Sequence, residues 1–91
     1  MDDKTYVVRE NNRAKKAVKE MPKRERQLYK DLVDELRFSG PIRKNWPNFS
    51  SLGGDKYHCH LSYKWVACWR WEKGSILIEV YYAGSREKAP Y

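Results

Sequence analysis

KYHCHLSYKWVACWRWEKGSILIEVYY, residues 56–82, decides the fold, because apolar side chains recur at every second position through three successive runs. Tyr57, Cys59 and Leu61 alternate with His58, His60 and Ser62. Trp65, Ala67, Trp69 and Trp71 alternate with Val66, Cys68 and Arg70. Glu72-Lys73-Gly74-Ser75 then supplies a turn whose glycine can take a positive φ. Ile76, Ile78, Val80 and Tyr82 follow, alternating with Leu77, Glu79 and Tyr81. A period of two belongs to strands with one buried face, so the segment predicts a three-stranded antiparallel meander. The face with the tryptophans is expected to be core. The other face would carry His58, His60, Cys68, Arg70 and Glu79, which is too much ionisable character for an interior, and is expected to be open.

Upstream the period changes. Thr5 to Arg9 (TYVVR) reads as a short opening strand. Asn11 or Asn12 can cap a helix whose apolar positions are Ala14, Ala17, Val18 and Met21. Pro22 suits the first turn of a second helix, and Leu28, Tyr29, Leu32, Val33 and Leu36 form its apolar stripe. Gly40 and Pro41 end it. The outer faces carry RAKK, KEMPKRER and KDLVDE, read as solvated charge. Residues 42–55, IRKNWPNFSSLGGD, are polar and broken and predict an irregular connection. Trp46 and Phe49 within it either pack under the sheet edge or join an RNA or partner surface. The expected fold is α+β, one domain over residues 1–91: an N-terminal strand, a two-helix hairpin, then the three-stranded meander (β-α-α-β-β-β), with both helices on one face of the sheet.

Ninety-one residues suit one domain with an adequate core, which four Trp, seven Tyr and two Phe enlarge. The net charge of +7, spread over both halves, favours a polyanionic partner. MDDKTYVVRENN at the start has no apolar run, so no secretory signal is expected. The longest apolar run, WVACW, falls far short of the ~20 residues of a membrane span. Two cysteines do not make a disulfide framework. A cytoplasmic location with reduced thiols is expected.

Three chemistries compete for the strand of alternate histidines. Zinc could take His58, His60 and Cys68, but Cys59 faces the other way and no CxxC or further histidine completes four ligands; no metal site is expected. An ordinary exposed strand is the second. The third is cleavage of RNA through its own 2′-OH, which needs a base, an acid and cations for the charge that builds on phosphate. Histidine titrates near neutral pH, arginine donates paired hydrogen bonds to phosphate, and aromatic rings stack on unpaired bases. The chain supplies His58, His60, Lys64 and Arg70, with Arg86 and Tyr91 in the tail GSREKAPY. That chemistry needs no cofactor.

The ordered pattern WPNFSSLGG, KYHCHL, KWVACWRW and ILIEVYYAGSREKAPY resembles the RelE/ParE superfamily of toxin–antitoxin toxins, and within it the RelE-like mRNA interferases. It covers roughly Trp46 to Tyr91. The resemblance implies a ribosome-dependent endoribonuclease with His58 or His60 as general base and the other as acid or phosphate ligand. It gives Lys64 and Arg86 to the phosphate and Tyr91 to the cleaved nucleotide. Lys56, Arg70 and Lys88 would bind RNA, and Arg70 could equally pair with Glu79. RelE itself has lysines where His58 and His60 stand. The implied partners are a cognate antitoxin, the ribosomal A site and mRNA, with operator DNA reached only through the antitoxin complex and no membrane. Two alternatives stay open: a non-enzymatic ParE-like inhibitor of DNA gyrase, and an RNA-binding module without catalysis.

Overall fold

Asn11 closes the first strand and opens the first helix. Its side-chain oxygen accepts the Ala14 N–H at 2.8 Å, an N-cap that satisfies one of the helix's free donors. Its amide donates to the Tyr81 carbonyl at 3.0 Å and ties the cap to the sheet. The structure is a computed structural model and describes residues 6–91. In chain order it has β1 (Val7–Glu10), α1 (Asn12–Lys19), α2 (Lys23–Ser39), β2 (Ser50–Gly53), β3 (Lys56–Ser62), β4 (Trp65–Arg70) and β5 (Leu77–Ser85), then a 3-10 turn over Arg86–Lys88. Thr5 of the expected opening strand lies outside the described residues.

The strands form one mixed sheet in the order β1-β5-β4-β3-β2, with β1 parallel to β5 and every other pair antiparallel. Both helices lie on one face, as expected. Ala14, Met21, Tyr29, Leu32, Val33 and Leu36 meet Cys59, Leu61, Ala67, Trp69, Ile78, Val80 and Ala83 in a single core. Pro22 stands one place earlier than expected, as the N-cap of α2.

Gly40 ends α2 at φ +96°, where a Cβ would sit 2.9 Å from the Tyr6 ring, so both backbone and space require glycine. The next residue anchors the helix end to the sheet: the Pro41 carbonyl accepts the buried Trp69 indole N–H at 3.0 Å.

Residues 42–55 depart from expectation in one respect, because Ser50–Gly53 is a fifth strand. It pairs Ser50 with His58 and Ser51 with Tyr57. Serine and glycine carry little strand propensity, and the strand exists because β3 offers it an edge. Trp46 and Phe49 pack on the core. Phe49 stacks at 6.0 Å on both Tyr57 and Trp69. One oxygen of Glu35 on α2 accepts from Arg43 (3.0 Å), Asn45 (3.0 Å) and the Trp46 indole (2.9 Å). Partial burial opposes its charge, but these donors and the charge of Arg43 outweigh it and hold the carboxyl below its ordinary value. Glu35→Ala is expected to cost about 1–3 kcal/mol in denaturant unfolding, the scale of hydrogen bonds to a charged group. Glu35→Gln, which keeps an acceptor, should cost less.

The second departure is in β5. Cys68 pairs with Tyr82 but Trp69 pairs with Val80, so Tyr81 is an extra residue in the ladder. A one-residue bulge reverses the facing of all that follows. The core therefore continues through Ala83, not Tyr82. Ile76, expected inward, precedes the strand and is exposed.

Candidate active site on the open sheet face

Register lays the uncovered face out in rows. Ser50, His58, Cys68 and Tyr82 stand side by side across β2, β3, β4 and β5. Next to them run His60, Val66 and Gly84. On the far side, Lys56, Arg70, Glu79 and Arg9 form a charged row.

His58 is the more enclosed of the two histidines on this face, only 7% exposed. The Tyr91 ring lies 4.4 Å from its ring centroid, and the edge of His60 lies at 5.8 Å. Its Nδ1 hydrogen-bonds the Ser50 hydroxyl at 3.1 Å, which leaves Nε2 as the nitrogen free for another partner. Burial, then the neighbouring charge of His60, hold the His58 pKa below its ordinary 6.5, with a Ser50 hydrogen bond working against them. His60 is also lowered, by burial and then by the charge of Arg86. Both imidazoles are therefore neutral at pH 7.

Arg86 follows β5 directly. Its backbone N–H donates to the Lys64 carbonyl at 2.8 Å, and its guanidinium lies 4.6 Å from the Tyr63 ring centroid. The Tyr82 hydroxyl donates to the Ser85 carbonyl at 2.7 Å and fixes the corner from which the tail departs. Burial is the largest effect raising the Tyr91 phenol, with Arg86 opposing it, so it stays protonated and can donate. Cys68 is fully buried beneath this group, its thiol pushed up to about 12; it is an inert thiol at neutral pH. Cys59 faces the core, opposite the histidines.

The remaining expected site residues are placed differently. Lys64 does not open β4. It sits with Tyr63 in the two-residue turn between Ser62 and Trp65, and among the described residues no hydrogen bond or ion pair joins its side chain to a histidine. Leu61 bulges between the His60 and Ser62 pairings, which shifts Lys64 out of the ladder. Arg70 pairs with Glu79 at 3.3 Å and lies over the Tyr81 ring at 5.1 Å. Lys56 is exposed in the charged row. Lys88 is exposed in the 3-10 turn, lining a cleft with Arg13 and Ala17 of α1.

Neither a protein-family model nor a curated protein matches the sequence. Solved structures do. RelE in the archaeal RelE–RelB complex of Pyrococcus horikoshii superposes with a TM-score of 0.73 at 19% identity, over 93% of this chain and 99% of that one. A chain of the E. coli DinJ–YafQ toxin–antitoxin complex gives 0.76 at 15% identity, over 96% and 99%. The Staphylococcus aureus YoeB dimer gives 0.69 at 9% identity, over 88% and 95%. The chain has the RelE/ParE toxin fold.

Within this RelE-type fold two contact residues escaped the sequence reading. Ser50 orients His58 but belongs to the strand that reads as a loop. Tyr63, 71% exposed, reads as turn filler, and its contact with Arg86 depends on where the tail runs. The pairing of β2 with β3 brings Ser50 to His58, the return of β5 beside β4 brings Arg86 to Tyr63, and no local sequence signal encodes either.

Proposed function

We propose that this protein is the toxin of a toxin–antitoxin pair and inhibits translation as a ribosome-dependent mRNA endonuclease. The fold shared with RelE and YafQ supports a toxin. The observation that carries the nuclease reading is the gathering of His58, His60 and Tyr91 on one sheet face, with Arg86 close enough to lower His60. A gyrase inhibitor needs no such group.

In this reading His58, neutral and with Nε2 free, takes the proton of the 2′-OH adjoining the scissile phosphate. The 2′-oxygen attacks phosphorus, the bond to the 5′-oxygen breaks, and that oxygen leaves with a proton. The products are a 2′,3′-cyclic phosphate and a 5′-hydroxyl. Arg86 stabilises charge on the phosphate. A bound phosphate also offsets the effect of Arg86 on His60 and raises its pKa, so His60 gains its proton when substrate arrives and can serve as the acid. Tyr91, beside His58 at 4.4 Å, contacts the nucleotide. The ribosome supplies alignment of mRNA, and Lys56 and Lys88 add attraction for RNA. Lys64 and Arg70 take no part in these steps. A cognate antitoxin as inhibitor and a cytoplasmic location complete the proposal; no helix among the described residues is long and apolar enough to cross a membrane.

The pH dependence follows in sign. His58, with its pKa lowered, stays a competent base down to about pH 6.5, whereas His60, also lowered, must take up a proton, so the rate with subsaturating ribosome complex should rise as the pH falls from about 8 toward 6.5 and turn down only at lower pH. In His60→Ala the His58 pKa rises, and the falling limb should move to higher pH. The function itself is tested by incubating purified protein with mRNA, with and without programmed ribosomes, and with a chelator selective for transition metals that leaves Mg²⁺ on the ribosome. Cuts that need ribosomes and survive chelation support the proposal. Intact mRNA from folded protein that still arrests growth would replace it with gyrase inhibition; RNA bound but never cut would leave a binding module.

A further inference from the structure

We propose that Tyr63 is a positioning residue for the cleavage reaction, holding the Arg86 guanidinium beside the histidine pair. The inference rests on the nuclease reading above. Tyr63 stands at the tip of the β3–β4 turn with 71% of its surface exposed, so packing gives it little to do. Its ring faces the Arg86 guanidinium at 4.6 Å, well inside the distance at which an aromatic face attracts a cation. The Arg86 backbone N–H meanwhile donates to Lys64, the other residue of the same turn, at 2.8 Å. One main-chain and one side-chain contact thus hang Arg86 from a two-residue turn.

Arginine otherwise has many rotamers to sample, and an arginine at the end of a strand has few neighbours to restrict it. Tyr63 confines it to the side of the site where its charge reaches His60. A guanidinium resting against a ring still has N–H donors for phosphate oxygens. Stabilising charge as it develops depends on donors already in place before the reaction. Tyr63 supplies that placement without touching the reacting atoms.

Tyr63→Ala and Tyr63→Phe test this by two readouts. Proton NMR on the free protein follows the Arg86 side chain, whose δ protons a facing ring shifts upfield, and the titration of His60. Arg86 is the charged group acting on His60, His58 is its ring neighbour at 5.8 Å, and its neighbours across β4 and β5, Val66 and Gly84, do not titrate. Single-turnover cleavage on programmed ribosomes then separates the maximal rate from half-saturation. Tyr63→Ala should lose the upfield shift, raise the His60 pKa and lower the maximal rate about two- to fivefold, the range of an exposed cation–π contact. Half-saturation should barely change, and Tyr63→Phe should restore all three. An unchanged Arg86 shift in Tyr63→Ala would overturn the proposal. So would a lost shift with an unchanged rate, or a loss that phenylalanine does not repair. Wild-type protein that shows the ring shift yet never cuts RNA would sink the nuclease reading and the role of Tyr63 with it, leaving only the contact.

Discussion

His58→Ala is expected to lower the single-turnover rate of mRNA cleavage on programmed ribosomes by about 10²–10⁴-fold, the range for losing a positioned general base. The enclosure of His58 makes it the stronger base candidate of the pair. Its Nδ1 is engaged by Ser50, its ring is held by Tyr91, and burial keeps it neutral. His60→Ala should cost less, because water can protonate the leaving oxygen in place of a missing acid. A larger loss from His60→Ala than from His58→Ala would exchange the two roles. Ser50→Ala should fall between wild type and His58→Ala, since it removes the orienting bond but leaves the imidazole.

Trp69→Ala carries the largest expected cost in stability, about 3–5 kcal/mol, as for other large aromatic truncations in a core. Trp69 is fully buried, stacks with Phe49 and Tyr57, and satisfies the Pro41 carbonyl. Its removal opens a cavity and orphans that acceptor together. A domain of this size has roughly 5–15 kcal/mol in all, so this one change can consume most of its margin. Trp69→Phe should lose less, keeping the stack but not the hydrogen bond. Urea unfolding monitored by circular dichroism gives both values, and a loss below 1 kcal/mol for the alanine variant would contradict the packing described.

Sequence periodicity captured the parts of the fold that rest on burial. Leu32 and Leu36 lie on the helix face their spacing predicts, and Trp69 and Ile78 on the sheet face, where a one-residue slip would put them in water. It failed where pairing geometry decides instead. Ser50–Gly53 has no apolar pattern and is a strand only through β3, and the bulge at Tyr81 leaves no trace in a run where both tyrosines read alike. The site follows the same division. Alternation put His58 and His60 on one face, but the position of Lys64 depended on the length of a turn and on the bulge at Leu61. Arg70 was legible as either an RNA contact or a partner of Glu79, and its carboxylate neighbour is the one the structure gives it. Ser50 and Tyr63 reach His58 and Arg86 from elements far apart in pattern, so tertiary structure alone reveals them.

In the proposed mechanism this face cuts RNA through the substrate's own 2′-OH. The most direct measurement places a single 2′-deoxy nucleotide immediately 5′ of the mapped cut in an otherwise identical mRNA on programmed ribosomes. Cleavage there is expected to disappear, while the unmodified mRNA should yield a 2′,3′-cyclic phosphate and a 5′-hydroxyl end. Cleavage that persists at the deoxy position, with a 5′-phosphate on the product, would mean that water is the nucleophile and would contradict the mechanism.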